Sequence, residues 1–333
     1  MSTIREIARR AGVSVSTASL AMNGDPRVRP ETRERVLQVV RELDYHPMRA
    51  ARSLSSGRTW TLQLLNPMVA ADLSAGFFTR FAIGVHHRAA QHGYSVGLSM
   101  VESEKDLEAV ARRIVRERWA DGLILMNPTE DPCLLNLIID SGFPCVVLGR
   151  QPGFEHLSVD SDNVQAARDA TRYLLQRAGA PVLFLSGPAR QTFTQERAQG
   201  YREALAEVGI QPDDRYLYFA DQGTAEAGRQ AVEAMLRAGL AFRSILAVSD
   251  ALAVGAMRAL REAGLRVPDD VAVMGMNNDD VAEYTDPPLS SVDLRAEDLG
   301  GEAAEMLLET IDGRISAPAR RLVPHRLVVR ASA

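Results

Sequence analysis

The chain has 333 residues, 46% hydrophobic, 24% charged and 5% aromatic, which excludes fibrous and disordered classes and is too long for one ordinary core. No apolar run approaches the ~18 residues that span a bilayer, and the N-terminus turns charged at once, so a secretory signal is not expected. Cys133 and Cys145 lack companions at ligand spacing and read as buried or half-buried thiols, so the expectation is a cytoplasmic protein with no metal, cofactor or membrane partner.

The net charge of −5 conceals an asymmetry. Residues 1–60 hold eleven Arg against six acids, a net +5, while the remainder holds 27 basic and 37 acidic residues, a net −10. A basic head on an acidic body suggests a polyanion as the head's partner, provided a motif supports it.

The head begins with Thr3-Ile-Arg-Glu6, the pattern of a capping box in which the Thr3 hydroxyl takes a free N–H and Glu6 reaches back. Ile4, Ile7, Ala8 and Ala11 repeat at helical spacing, and Gly12 ends that helix. Ser14 can cap a second helix through Met22, which Asn23-Gly24 terminates. Two short helices joined by small residues make a helix-turn-helix. A third helix starts at Pro30, buries Val36, Val39, Val40 and Leu43, and stops before Tyr45-His-Pro47. The second helix exposes Ser14, Ser16, Thr17, Ser19 and Asn23, almost without charge. A solvated face usually carries Glu, Lys and Arg; short hydroxyls suit a helix pressed on phosphates and base edges.

The run Ile4-Arg-Glu-Ile-Ala-Arg-Arg-Ala-Gly-Val-Ser-Val-Ser-Thr-Ala-Ser-Leu-Ala-Met-Asn-Gly24, with Pro30-Glu-Thr-Arg-Glu-Arg-Val36 and Ala51-Arg-Ser-Leu54, resembles the lactose-repressor (LacI/GalR) family of bacterial transcription regulators. The resemblance implies that Val15, Ser16 and Leu20 read bases, and that Thr3, Ser14, Thr17, Ser19, Asn23 and Tyr45 lie near phosphates. Leu20 stands where relatives usually carry Arg, His or Tyr, which points to a thymine methyl or to DNA shape. Arg29 replaces the usual Ser or Thr cap before Pro30, giving up about 1 kcal/mol of capping for a phosphate contact.

Residues 47–58 are too short for a stable isolated helix and read by themselves as a tether. The resemblance implies that two such segments from a dimer pair as helices in the minor groove, with Leu54 as a wedge. Met48 replaces the family's usual Asn after the Pro.

From residue 61 short apolar runs alternate with helical stretches: Thr61–Leu65, Gly122–Met126, Pro144–Leu148, Pro181–Leu185, Ser244–Val248 and Val271–Gly275. Their near-continuous hydrophobicity is that of parallel strands covered on both faces. Gly93, Gly142, Gly179, Gly209, Gly239 and Gly264 punctuate the helix ends. This predicts a doubly wound α/β body large enough for two lobes. The nucleotide and nucleophile motifs of common α/β enzymes are absent, and His86, His87 and His92 lack metal spacing.

Ligands of open α/β sheets sit beyond the carboxyl ends of strands. Arg150, Asp250 and Asn277 fall there, with Arg197 on the following helix; each also has a plain structural explanation as a rim charge, a helix cap, a turn residue or a local ion pair. The body resembles the family's periplasmic-binding-protein-like core in Phe77-Phe78, Asp162-Asn163, Ser249-Asp250, Val267–Gly275 and Pro287–Val292. The resemblance implies that Phe77, Phe78, Arg150, Asp162, Arg197, Asp250 and Asn277 line an effector site. Arg197 is the principal anchor, because a planar fork can hold two hydroxyls or a carboxylate. Asn277 replaces a usual Asp, and Gly223 replaces the aromatic that stacks on sugars in several relatives. A sugar or sugar derivative remains the expected effector, while the lost stacking platform leaves a phosphorylated sugar, a nucleoside or another polar metabolite open.

The expected architecture is α/β: an N-terminal all-α helix-turn-helix domain (1–46), a hinge (47–60), and a two-lobed periplasmic-binding-protein-like (type I) effector domain with doubly wound parallel sheets (61–333). The first lobe is expected near 61–160 and 292–322, the second near 161–291 and 323–331, the chain crossing back near 291 so that Ala296–Ile311 packs on the first lobe. The expected function is a repressor that binds a pseudo-palindromic operator in double-stranded DNA as a homodimer under control of a small molecule. A solute receptor sharing the two-lobed fold, and a nucleotide-using enzyme, are the competing readings; the basic head opposes the first and the missing phosphate motifs oppose the second.

Overall fold

Each helix of the head starts and stops on its own residues. In α1 (Ile4–Ala11) the Thr3 hydroxyl accepts from Glu6 N–H at 3.4 Å, and Gly12 closes the helix at φ 65°. The reciprocal half of the capping box does not form. Glu6 instead accepts from Arg9 and Arg10, which hold its carboxyl down to about 2, because two guanidiniums within one turn outcompete the exposed N-cap amide. The Ser14 hydroxyl accepts from Thr17 N–H at 3.0 Å at the start of α2 (Val15–Met22). Helix α3 (Pro30–Glu42) begins at Pro30 with no side-chain cap from Arg29. Arg33 Nη2 donates to the carbonyls of Gly24 and Asp25, tying α3 to the turn after α2. Ile7, Ala8, Ala11, Ala18, Ala21, Val28, Val36 and Val39 form the core, with Val40, Leu43 and Tyr45 packed half-buried at its edge.

This computed structural model describes residues 3–22, 24–45, 53, 57–66, 76–101, 104–126, 133–151 and 153–333. The chain divides into two units, Met1–Thr59 and Trp60–Ala333. Asn23, Met48, Leu54 and most of the segment 47–58 lie outside the described residues.

In the body, one sheet has the order β11-β5-β4-β3-β1-β2, formed by β1 (Thr61–Asn66), β2 (Ser95–Met100), β3 (Gly122–Met126), β4 (Cys145–Leu148), β5 (Leu157–Ser161) and β11 (Ala319–Val323). All its pairings are parallel. The other has the order β12-β10-β9-β8-β6-β7, from β6 (Val182–Ser186), β7 (Leu217–Phe219), β8 (Ser244–Ala247), β9 (Ala272–Met276), β10 (Ser290–Asp293) and β12 (Arg326–Val328). Only its β10–β12 pairing is antiparallel. The chain therefore passes between the sheets three times, after Ser161, after Asp293 and after Val323.

The crossings are tied to one another. Ser161 Oγ donates to Leu294 O at 3.4 Å, and Asp293 Oδ2 accepts from Arg326 Nε at 2.9 Å. His325, in the third crossing, lies 3.1 Å from Asp169 through Nε2.

The helices, in chain order, are α4 (Gly76–Gln91), α5 (Glu104–Arg116), α6 (Cys133–Asp140), α7 (Asn163–Ala178), α8 (Thr192–Glu207), α9 (Ala225–Arg237), α10 (Asp250–Glu262), α11 (Val281–Tyr284) and α12 (Ala296–Ile311). Helix α12 packs against α4, β3, β4 and β5 of the first sheet, so the chain does return there. The α4–α12 contact is backbone on backbone: a Cβ on Gly84 would meet Glu297 O at 1.9 Å, and one on Gly300 would meet Phe81 O at 2.0 Å. Cys145 is half-buried at the edge of the first lobe's core, and the desolvation there pushes its thiol up to about 12, away from reactivity.

Candidate functional site

Helix α2 presents a compact face of small groups. Ser14, Val15 and Ser16 are exposed, Val15 by 43%, while Thr17, Ser19 and Leu20 are half-buried. The hydroxyls already contact each other, Ser14 Oγ lying 2.8 Å from Thr17 Oγ1 and 3.4 Å from Ser16 Oγ. Leu20 packs against the head's core rather than standing free, so only part of it is open to a base. Arg29 is exposed at the start of α3, and Thr3 at the start of α1. Among the described part of the linker, Gly57 N–H donates to Ser53 O at 2.9 Å, with Gly57 at φ 70°.

The second cluster lies between the two sheets of the body. Arg197, on α8, is 6% exposed, its Nε donating to Asn163 Oδ1 at 3.0 Å and its Nη1 to Val248 O at 2.9 Å, just beyond β8. Its guanidinium carbon stands 4.7 Å over the Phe193 ring. Asn163 donates in turn to Asp160 Oδ1 and Glu196 Oε2, each at 3.1 Å. Arg150 reaches Glu196 at 3.4 Å, and Arg320 reaches Asp160 at 3.4 Å. Asp160, Arg150 and Arg320 come from the first sheet and its loops, whereas Asn163, Glu196, Arg197 and Val248 come from the second lobe, so this network spans the gap. Burial, then the charge of Glu196, push Asp160 up to about 7 against Arg320. Burial pulls Arg197 down to about 10 against the pull of Asp160 and Glu196.

Asp250 occupies the first turn of α10, but Ser249 caps that helix, its Oγ accepting from Leu252 N–H. The fully buried Asp250 carboxylate accepts from Ser291 Oγ and from Asp279 N–H, both at 2.6 Å. Burial pushes it up to about 7. It thereby fixes the loop after β9, where Asn277 and Asn278 take left-handed φ values of 101° and 53°.

The residues expected from the sequence thus separate. Arg150 and Arg197 belong to one network, and Asp250 and Asn277 to the loop after β9. Asp162 is exposed and caps α7, accepting from Gln165 N–H at 2.9 Å, so Asn163 is the residue that meets Arg197. Phe78 is buried in the core, while Phe77 is half-buried and stacks on Phe81 at 6.4 Å. Asp160, Phe193 and Asp279 are not among the residues expected from the sequence; Asn163 enters there only beside Asp162, and Glu196 only as a local partner of Arg197. The alternation at Glu196-Arg197, charged residues on an otherwise buried helix face, was the one signal that could have found part of this set. Among the described residues no group of His, Cys, Asp and Glu could hold a metal, and no helix is long and apolar enough to cross a membrane.

Residues 3–48 match the family of bacterial regulatory proteins, lacI family, and residues 165–333 match a periplasmic binding protein-like domain. The chain is 34% identical over 338 residues to the HTH-type transcriptional regulator CelR of Thermobifida fusca, covering 99% of this chain and 98% of that protein. The chain belongs to the lacI family. The HTH-type transcriptional repressor CytR of Escherichia coli K12 is 29% identical across 99% of this lacI-family chain and 96% of its own length. A solved complex of CelR with cellobiose superposes with a TM-score of 0.79 at 31% identity, covering 100% of both chains. The lac repressor dimer bound to operator and the anti-inducer ONPF superposes with a TM-score of 0.86 at 26% identity, covering 99% and 98%. As a lacI-family member this protein is a DNA-binding transcription regulator, with a helix-turn-helix head and a periplasmic-binding-protein-like body.

Proposed function

We propose that this regulator is a cytoplasmic repressor, a binding protein rather than an enzyme, which grips a pseudo-palindromic operator as a homodimer and answers to a sugar or sugar derivative in the cleft of its body. The observation that carries the effector half is the buried Arg197, held by partners from one lobe while its acidic neighbours reach the other. Closing a ligand against that fork would pull on both lobes at once. The cellobiose bound to the related CelR supports the sugar class, and the operator bound to the lac repressor dimer supports the partner class.

In this reading Val15, Ser16 and Leu20 meet base edges, while Thr3, Ser14, Thr17, Ser19, Asn23, Arg29 and Tyr45 meet the backbone and Leu54 wedges the minor groove. In the cleft, Arg197, Arg150, Asn277 and the open half of Phe77 touch the effector. Asp250 acts as a positioning residue for the loop 277–279, Phe78 supports Phe77 from the core, and Asp162 sits at the rim.

Selection of duplexes from a random pool on the full-length protein, followed by anisotropy titrations with and without cellobiose and related sugars, tests both halves. A selected palindrome whose affinity falls steeply with salt and shifts with one sugar is expected. Salt-independent binding, or operator affinity indifferent to every sugar that raises the melting temperature, overturns the repressor or the effector reading respectively.

A further inference from the structure

The loop after β9 is held from several directions. Asn277 N–H donates to Val292 O at 2.8 Å, Asn278 N–H to Ser291 Oγ at 3.0 Å, and Asp279 N–H to Asp250 Oδ2 at 2.6 Å. Arg330 Nη2 donates to Asn278 Oδ1 at 2.8 Å. With its backbone fixed, the loop aims the Asp279 side chain out of the second lobe and onto the first turn of α4 in the first lobe. The approach is close: a Cβ on Gly76 would lie 2.7 Å from Asp279 Oδ1.

Helix α4 runs 16 residues and has no acidic residue of its own in its first turn. Such a helix end, with backbone N–H groups pointing outward and a positive dipole end, is a ready anion site. Arg80, one turn on, strengthens it, lying 3.7 Å from Asp279 and 3.9 Å from Asp280 while donating to Asn278 O. The chain fills this site with its own carboxylate. Asp279 is 6% exposed, and its Oδ1 has no hydrogen-bond partner among the described residues. Arg80 and the Phe77 and Gly76 N–H groups favour the charged form, yet burial outweighs them and lifts the carboxyl to about 6.

We infer that Asp279 is a specificity-determining residue of the cleft: by occupying the positive end of α4 it excludes phosphorylated and other anionic effectors and leaves an acceptor oxygen without a well-formed hydrogen bond for the hydroxyl of an uncharged one. The inference narrows the effector proposed above and rests on that reading for its second half. A phosphate brought to α4 would meet a resident anion at contact distance, whereas a sugar hydroxyl can donate to Oδ1 and satisfy it. The sequence alone left a phosphorylated sugar open; this contact closes that option.

Calorimetry on the full-length dimer with inorganic phosphate and with glucose 6-phosphate as probes tests the exclusion directly, without knowledge of the effector. The wild type is expected to bind neither at millimolar concentration. Asp279→Ser, which empties the site, is expected to gain affinity for both by about tenfold or more, and adding Arg80→Ala should remove the gain. Asp279→Asn, nearly isosteric, serves if the serine variant does not fold, and should show a smaller gain of the same sign. Phosphate binding to the wild type as tight as to the variants, or no gain in either variant, overturns the inference. A gain in the variants while no neutral sugar binds any form would leave the exclusion standing and remove the effector reading instead.

Discussion

The α2 face of the head and the buried network of the body, the two surfaces proposed for recognition, are built in opposite ways. The head offers short, uncharged, exposed groups, already hydrogen-bonded to each other, and leaves charge to surrounding arginines. The cleft buries its charges, so that Arg197, Asp160, Glu196, Asp250 and Asp279 all depend on neighbours for compensation. A surface that must meet a highly charged, hydrated polymer can remain wet; a cleft that must discriminate between small polar molecules gains from groups whose desolvation cost is met in advance. The head should therefore tolerate substitution without unfolding, and the cleft should not.

The largest effect is expected at Arg197. Arg197→Ala removes the cation that Asp160 and Glu196 share and strands Asn163 Oδ1, and should cost the body about 3 kcal/mol in urea denaturation while leaving the head's own transition unmoved. Stability within about 0.5 kcal/mol of wild type would show that the network is hydrated and the contrast false. Gly300→Ala comes next. Its methyl would meet Phe81 O at 2.0 Å across the α4–α12 contact, so about 2 kcal/mol of destabilisation is expected, read as a lowered melting temperature. Ser16→Ala, on the exposed face of α2, should leave stability unchanged and shift operator preference by about 1 kcal/mol, measured against a panel of single-base operator variants.

The smallest effect is a slope. Asp160 and Asp250 carry folded pKa values raised to about 7 from 3.8, so the folded body binds more protons than the unfolded chain between those limits. Stability attributable to them is therefore greatest at the acidic side and falls as pH rises from about 4 towards 7. Asp250→Asn should flatten that fall in thermal melts taken across the range, and an unchanged slope would mean that the carboxylate is solvated.

How much of each region was legible follows from the same contrast. In the head the contacts that start and stop the first two helices are local: Thr3 to Glu6, Ser14 to Thr17, Gly12 at the helix end. Periodicity and capping residues could find these; the return of Glu6 to the cap failed because Arg9 and Arg10 compete within one turn, and Val40 and Leu43 stay half-buried at the edge of the core rather than inside it. In the body the apolar strands and the glycine ends of helices were equally plain, as was the return of α12 to the first sheet. Strands β7 and β12, at three residues each, carry too little pattern to announce themselves. The cleft was least legible, since Asp160 meets Arg320 and Asp279 meets Gly76 across more than a hundred residues of chain. The pair Asp162-Asn163 shows the limit: the resemblance marks both residues, but only the direction of the helix decides that Asp162 caps it while Asn163 turns towards Arg197.

The threefold passage between the sheets has a consequence for how the protein is made. Strand β11 covers the edge of β5, and β12 covers the edge of β10, so each sheet receives its last strand from the final stretch of sequence. Ser332 then pins that stretch, accepting from Ser290 N–H and donating to Val273 O. During synthesis the head can fold as soon as it clears the ribosome, whereas the first sheet waits for its last strand until translation has passed residue 323 and the second until residue 328. A message truncated in α12 would release a DNA-binding head attached to two unfinished sheets, a species fit for proteolysis rather than for regulation.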